Sequence, residues 1–241
     1  MFRPIYEPRT RAREYCDLAV NIYSGCNHGC VYCYAPGVLR LTKEAFMQVS
    51  PRKDITESVK RQISREGLRG KKIMLCFTCD PYPAGIDTAV TREVIKAIKD
   101  GGNNVQILTK GGKRAERDFD LLGAGDSFGV TLSCNPVQQK EIEPNAAPIL
   151  ERLETLQHAR DAGIKTWASF EPVFDPEIVY EAITRWGFID LFRIGKLNHA
   201  RSSINWAAFG VECQRLCIEH NRDYYIKDDL WAEMKNLNYG A

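Results

Sequence analysis

Leu18-Ala19-Val20-Asn21-Ile22-Tyr23-Ser24-Gly25-Cys26-Asn27-His28-Gly29-Cys30-Val31-Tyr32-Cys33-Tyr34 runs an apolar segment straight into a loop that holds three cysteines. Residues 18–23 predict a first strand, and Ser24-Gly25 predicts the turn that ends it. Cys26, Cys30 and Cys33 then fall within eight residues. Metal-ligating thiolates must converge; a short loop carrying Gly29 can turn three of them inward, whereas a strand would send alternate side chains apart. Zinc sites usually close with four ligands, as two CxxC pairs or a CxxC with two histidines. Three cysteines without a partner pair would leave a metal position open, which is what metal-centred chemistry needs. A structural zinc loop and a set of buried free cysteines are the alternatives.

Working outward, the 241 residues suffice for one sizeable core, and we expect a single domain over residues 17–241 preceded by a basic arm over residues 1–16. A hydrophobic fraction of 44% and a charged fraction of 27% are those of an ordinary globular protein. There is no apolar run of membrane-spanning length, and MFRPIYEPRTRAREY has neither the apolar core nor the cleavage site of a signal peptide. A cytoplasmic monomer without a membrane partner is the expectation. Nine cysteines, three of them clustered, fit reduced thiols and metal better than disulfides in that setting. The net charge of +2 excludes little, but it is uneven: the arm contains Arg9, Arg11 and Arg13, and residues 52–72 hold eight Lys/Arg against three Asp/Glu. Either stretch could contact the phosphates of a nucleic acid or be a solvated face.

Strand-like and helix-like segments alternate along the rest of the chain. Apolar runs at 73–77, 105–108, 128–132, 166–170 and 191–194 predict five further strands. Between them, helical spacing is found at Ile55, Val59 and Ile63, at Val90, Val94 and Ile98, and at Ile149, Leu153 and Leu156. Asp54 is placed to cap the first of these helices, and Asp175-Pro176 to open a later one. A charged helix is expected to end at Leu122, and a last one to carry Ile204, Ala207, Ala208 and Val211. Six strand–helix units argue for a parallel α/β sheet, which right-handed crossovers would wind into either an open sheet or a partial barrel.

The CxxxCxxC triplet after the first strand resembles the loop of the radical S-adenosylmethionine (SAM) enzymes. That resemblance implies a partial (β/α)6 TIM-type barrel and a [4Fe-4S] cluster on Cys26, Cys30 and Cys33. It also implies SAM on the open iron and a flavodoxin- or ferredoxin-type reductant. In such a barrel the C-terminal strand ends form the site. There the sequence places Thr78-Cys79-Asp80-Pro81-Tyr82, Thr109-Lys110, Ser133-Cys134-Asn135-Pro136 and Phe170-Glu171-Pro172. SAM is a zwitterion, so its amino group suits Asp80 and its carboxylate suits Lys110, while Ser133 and Asn135 suit the ribose hydroxyls. Thr78, Tyr34 and Glu171 complete the expected cofactor contacts, and Lys196 and Asn198 could reach the adenine or the substrate.

Within that family the chain resembles the branch of spore photoproduct lyase and its shorter relatives, in which a 5′-deoxyadenosyl radical splits a thymine dimer in DNA. The resemblance rests on the CxxxCxYCY loop with Tyr32 and Tyr34, Thr-x-Asp-Pro at Thr78–Pro81, Thr109-Lys110, and Ser133-x-Asn135, spanning about Asn21 to Pro172. It implies SAM contacts at Asp80, Lys110 and Ser133, and a radical-transfer role for Tyr32. Two departures stand out. The first ligand already stands at position 26, and Phe77 occupies the place of the lyase's hydrogen-donating cysteine. Strand alternation would put Cys79 on the side of Phe77 and Cys76 on the other, making Cys79 the candidate thiol.

The expectation is therefore hydrogen abstraction from a thymine-type base or its substituent, in DNA, leading to an isomerase- or lyase-type modification. Tyr32, Tyr34, Tyr82 and Trp167 would be available to stack the base. The alternatives are lyase-type repair itself, a radical enzyme for a free small molecule or peptide, and a non-catalytic iron–sulfur or zinc module. Cys213 and Cys217, four apart on a helix, supply two ligands for a second cluster and more naturally are buried small residues, as are Cys16 and Cys134. His28 lies in the cluster loop, whereas His158, His199 and His220 have no metal-ligand spacing.

Overall fold

The computed structural model describes residues 3–198 and 200–237, so His199 lies outside the described residues. The strands are β1 (Ile5–Tyr6), β2 (Leu18–Val20), β3 (Tyr23–Ser24), β4 (Ser50–Pro51), β5 (Lys72–Leu75), β6 (Asn104–Thr109), β7 (Ser127–Thr131), β8 (Lys165–Phe170), β9 (Leu191–Ile194) and β10 (Asp223–Ile226). The helices are α1 (Ala35–Leu39), α2 (Lys43–Phe46), α3 (Ile55–Glu66), α4 (Ala89–Asp100), α5 (Gln139–Ile142), α6 (Ile149–Asp161), α7 (Pro176–Arg185), α8 (Trp206–Glu219) and α9 (Asp228–Leu237). β3 and β4 pair with each other; the other eight strands form one sheet in the order β1-β2-β5-β6-β7-β8-β9-β10. β1 joins antiparallel to β2, and all the remaining neighbours are parallel.

Helices and strands meet in a core on the outer side of the sheet. Val59 and Ile63 of α3, Val94 and Ile98 of α4, and Val179 and Ile183 of α7 are buried there against Val20, Ile73, Val105, Phe128 and Phe192. The inner face has its own small cluster of Ala19, Met74 and Trp167. β2 and β5 meet β8 in that cluster although two strands separate β5 from β8 in the sheet order, so the sheet curls into a partial barrel. Gly129 permits the curl at one point: a Cβ there would lie 2.4 Å from the Trp167 ring. The ends of the sheet, β1 and β10, do not pair with each other, and the barrel stays open.

All six expected strand–helix units are present, and two additions lie at the chain ends. β10 and α9 extend the sheet by a seventh parallel strand; Asp223-Tyr224-Tyr225-Ile226 has one buried residue, too little apolar signal for recognition. At the other end Ile5 and Tyr6 form an edge strand, and Tyr15 enters the barrel. The expected first strand stops at Val20, because Asn21 turns its side chain to other backbone. The charged segment Gly112–Leu121 is a 3-10 helix, not an α-helix. Asp175 caps α7 by accepting from the Glu177 N–H at 3.0 Å, with Pro176 in the first turn. Asp54 stands at the N-cap of α3 but makes no side-chain cap bond, its φ of 50° being left-handed. Among the described residues no helix is long and apolar enough to cross a membrane.

Candidate active site at the mouth of the barrel

The cysteine loop is clamped at the C-terminal mouth by hydrogen bonds from four directions. Cys26 N–H donates to the Phe46 carbonyl (2.9 Å), Val31 N–H to Ile142 (3.0 Å), and Asn145 N–H to the His28 carbonyl (3.0 Å). The Asn27 amide exchanges bonds with the Ala84 backbone at 2.7 and 3.1 Å. Gly25 opens the loop at φ 82°, and a Cβ there would sit 2.4 Å from the Phe46 carbonyl oxygen, so no other residue fits without backbone movement. His28 is buried under the loop, with Nδ1 3.5 Å from Asp80; burial holds its pKa well below the ordinary value.

Cys26, Cys30 and Cys33 are all half-buried, and burial pushes the Cys30 thiol up to about 11 and Cys26 higher still. Thiolate-bound metal would therefore displace protons from this loop. No three His, Cys, Asp or Glu side chains among the described residues converge on a position for a single metal ion. A cluster asks for something different, one thiolate on each of three irons. Two further observations fit a cofactor. The Thr78 hydroxyl oxygen is buried without a partner among the described residues. The Lys110 ammonium has no ion pair among the described residues, and although burial alone would lower its pKa, Cys30, Glu143 and Asp80 around it keep it raised and charged. A cation without an ion pair near Cys26 and Cys30, and an orphaned hydroxyl just after β5, suit a carboxylate-bearing, hydrogen-bonding ligand.

Several expected contacts are already occupied within the protein. Asp80 is 6% exposed; one oxygen accepts from Tyr82 N–H (2.8 Å) and Thr109 Oγ1 (2.6 Å), the other from Lys110 N–H (2.8 Å). It joins the ends of β5 and β6, and with His28 at its second oxygen it has little capacity left for an amino group. Ser133 donates to Glu143 at 2.5 Å, and Tyr32 donates to the same Glu143 oxygen. The Asn135 side-chain oxygen accepts from the backbone of Val137 and Gln138, and its amide donates to Asp175 at 2.7 Å. Glu171 accepts from Tyr15 (2.8 Å) and Lys227 (2.5 Å). Lys196 pairs with Glu233, and Asn198 donates to Asp229 (2.8 Å), both acids belonging to α9.

Three further expectations are corrected. Tyr82 is fully buried with its hydroxyl on Asp118 (3.0 Å), and Trp167 is 2% exposed inside the barrel, so neither can stack a substrate base. Cys76 takes φ 68°, which breaks the strand alternation. As a result Cys79 packs with Cys76 on the outer core, while Phe77 faces the inner cluster. Cys213 and Cys217 are, as expected, buried core residues of α8, and among the described residues no third ligand gathers to them. Tyr34, in contrast, stands 51% exposed, its hydroxyl tied to the Phe77 carbonyl at 2.8 Å.

The sequence reading did not single out Glu143 and Arg152. They form an ion pair of 2.6 Å with both side chains fully buried, and Arg152 is anchored further on the carbonyls of Ala147 and Thr131. Glu143 thereby holds Tyr32 and Ser133 behind the cysteine loop. The basic arm is divided: Arg13 pairs with Glu7 and Asp17 beside the start of β2, at the opposite end, whereas Arg11 lies 3.6 Å from Asp229 of α9, which follows the C-terminal end of β10.

Comparison with known proteins agrees with this geometry. An uncharacterized protein of Acidianus two-tailed virus is 28% identical, with 90% of this chain and 73% of that protein covered. An uncharacterized protein of Methanocaldococcus jannaschii is also 28% identical, over 73% of this chain and 66% of its own. Among solved structures, a spore photoproduct lyase variant with bound AdoMet and dinucleoside spore photoproduct superposes with a TM-score of 0.61 at 16% identity. The match covers 88% of this chain and 62% of the lyase chain. Streptococcus suis SuiB bound to S-adenosylmethionine gives 0.66 at 12% identity, over 87% of this chain and 50% of SuiB. At such identities the likeness speaks for the fold. The sequence model of the Radical SAM superfamily matches residues 20–183, and the chain belongs to that superfamily, whose enzymes use a [4Fe-4S] cluster and SAM.

Proposed function

We propose that this radical SAM enzyme abstracts hydrogen from a thymine-type base or its substituent, in DNA, and leaves the base rearranged or modified. The observation that carries the reading is Tyr34. Its ring is exposed at the mouth, tethered through Phe77, and its electrostatic neighbours are Cys33, Glu171 and Cys79. A flat base laid on that ring would lie beside a cluster ligand, a carboxylate and a thiol. The fold likeness to a lyase holding a dinucleoside photoproduct supports the same class of substrate.

Cys26, Cys30 and Cys33 would hold the cluster, with Lys110 and the Thr78 hydroxyl as the protein groups free to meet SAM. When bound, the pair supplies a 5′-deoxyadenosyl radical. The chain's own residues then position and protect: Asp80 locks the loop that presents Lys110, and Glu143 fixes the Tyr32 hydroxyl. Tyr34 orients the base, while Cys79 packs on the outer core and would have to turn toward the mouth to serve as hydrogen donor. A lyase-type repair reaction is the second reading, and Phe77 weighs against it. In this fold Phe77 packs its ring edge-on against Tyr15 with centroids 6.0 Å apart, so no thiol occupies that position.

The test is anaerobic. The reconstituted protein, SAM and a reductant are incubated with DNA carrying methyl-deuterated thymine or a modified thymine. Deuterium in 5′-deoxyadenosine is expected, and it should fall at least tenfold in Tyr34→Ala with cluster content unchanged. SAM cleavage that carries no deuterium from any of these DNAs would sink the nucleobase reading and leave a free small molecule or peptide.

A further inference from the structure

The end of the barrel opposite the cysteine loop has a feature that SAM chemistry does not use. Two clefts of about 560 and 450 Å³ lie beside the N-terminal ends of the strands, and both are lined by Lys72 and Gln106, so they join into one trough. Its walls carry six Lys/Arg against four Asp/Glu. The acids do not neutralise the cations evenly. Glu7 and Asp17 pair with Arg13, and Asp190 pairs with Arg160. Among the described residues, Lys71, Lys72, Lys165 and Arg193 have no acidic partner within ion-pair distance, and Asp223 is the remaining acid of the lining.

Among the described residues, two donors at the floor of the trough have no acceptor. Arg193 donates to the Glu14 carbonyl at 2.5 Å and is flanked by the rings of Tyr15, Trp167 and Tyr225 at 5.3–5.5 Å, yet its Nε is buried with no partner. Trp167, 2% exposed and lining the same trough, has an indole N–H that is also buried and unpartnered. Buried donors left without acceptors are costly, and like charges held together repel. Lys72 shows that repulsion: burial, then Lys165 and Arg193, lower its pKa. A ligand rich in acceptor oxygens and negative charge would relieve both.

We propose that this trough binds a small oligophosphate anion, with Lys72 and Lys165 at the rim and Arg193 at the floor. A nucleoside attached to the phosphates would have the partly exposed Tyr15, which lines the same trough, as its aromatic neighbour. The site is independent of the mouth, so its failure would leave the radical reading intact.

The experiment titrates the cluster-loaded wild-type protein with pyrophosphate, with ATP in a second arm and sulfate at matched ionic strength as control. Saturable one-to-one binding of pyrophosphate is expected, and tighter binding of ATP would identify a nucleotide as the source of the phosphates. Each charge-assisted contact accounts for about tenfold in affinity. Lys72→Met and Lys165→Met should therefore each weaken pyrophosphate about tenfold while SAM binding stays unchanged. In the wild type, pyrophosphate should also protect Lys72 and Lys165 from an amine-acylating reagent, as read from their peptides. Heats no larger than those of sulfate, or protection of Lys110 instead, would overturn the proposal. So would complete displacement of pyrophosphate by a short DNA duplex, which would make this face a nucleic-acid surface.

Discussion

Two buried carboxylates stand behind the mouth of the barrel, and the protein treats them differently. Glu143 is wholly desolvated and paired with Arg152, itself wholly buried and tied to two backbone carbonyls. Glu171 is 16% exposed and is held by Lys227 at the start of the last helix and by Tyr15 of the N-terminal arm. The first carboxylate serves the cysteine loop through Tyr32 and Ser133; the second joins the two ends of the chain inside the barrel. Ligand-bearing groups are thus fixed by a rigid, dry network, while the open side is closed by segments that reach in from the termini. Buried charge without a partner costs far more than a partly solvated one, so the two networks should differ in what their loss does.

The largest effect is expected at the dry pair. Arg152→Met leaves Glu143 uncompensated and should lower unfolding stability by about 3–5 kcal/mol. Adding Glu143→Gln should restore part of that loss, because the stranded charge is gone. Chemical denaturation of the three proteins checks this, and a double variant weaker than Arg152→Met would break the comparison. Tyr15→Phe comes next. It removes the hydroxyl bonds to Glu171 and Ser169, at 2.8 and 2.9 Å, and should lower stability by about 1–3 kcal/mol. If cluster content falls as far in Tyr15→Phe as in Arg152→Met, the two networks are not separable.

The pair also sets an acid limit. Burial raises the Glu143 pKa, but Arg152, Lys110 and the hydroxyls of Ser133 and Tyr32 outweigh it, and the net shift is downward. A carboxyl with a lowered folded pKa stabilises the protein above its unfolded value near 4.5, and that contribution is lost as pH falls from there through the folded value. Stability should therefore decline below about pH 4.5, and the decline should be shallower in the Glu143→Gln, Arg152→Met double variant. An identical acid slope in both proteins would show that other carboxylates, Asp80 among them, control the transition.

What could be read in advance follows the range of the interactions. The alternation of strand and helix and the three-cysteine loop are local patterns, and the parallel sheet and its mouth follow from them. Glu143 and Arg152 carry no local mark. Each stands in an ordinary polar stretch, and only the folded chain shows that Arg152 is fully buried and what it holds. Tyr82 and Trp167 were misplaced because a large aromatic near a strand end looks the same whether it lines a mouth or fills a core. The side chosen for Cys79 failed for a backbone reason: alternation assumes an extended chain, and Cys76 turns left-handed. Asp80 was found by its motif, but the motif could not show that loop backbone and Thr109 already fill its oxygens.

The smallest effect on stability should come from Lys110, and that makes it the sharpest probe of the mouth. Its ammonium has no ion pair among the described residues, yet it lies 5.8 Å over the Tyr32 ring and close enough to Cys30, Glu143 and Asp80 for them to keep it charged against burial. A lysine kept for the fold would be expected to end on a carboxylate, as Lys227 does on Glu171. Lys110→Met should then change unfolding stability by less than about 1 kcal/mol, within the range of ordinary surface or rim substitutions. SAM affinity should fall at least about tenfold, the worth of one charge-assisted contact to its carboxylate. Both are measured on protein with equal cluster content, by denaturation and by the change that SAM makes in the cluster's paramagnetic resonance spectrum. A variant that loses stability and keeps SAM affinity would make Lys110 part of the Glu143 network, and the mouth would then lack a free cation for the cofactor.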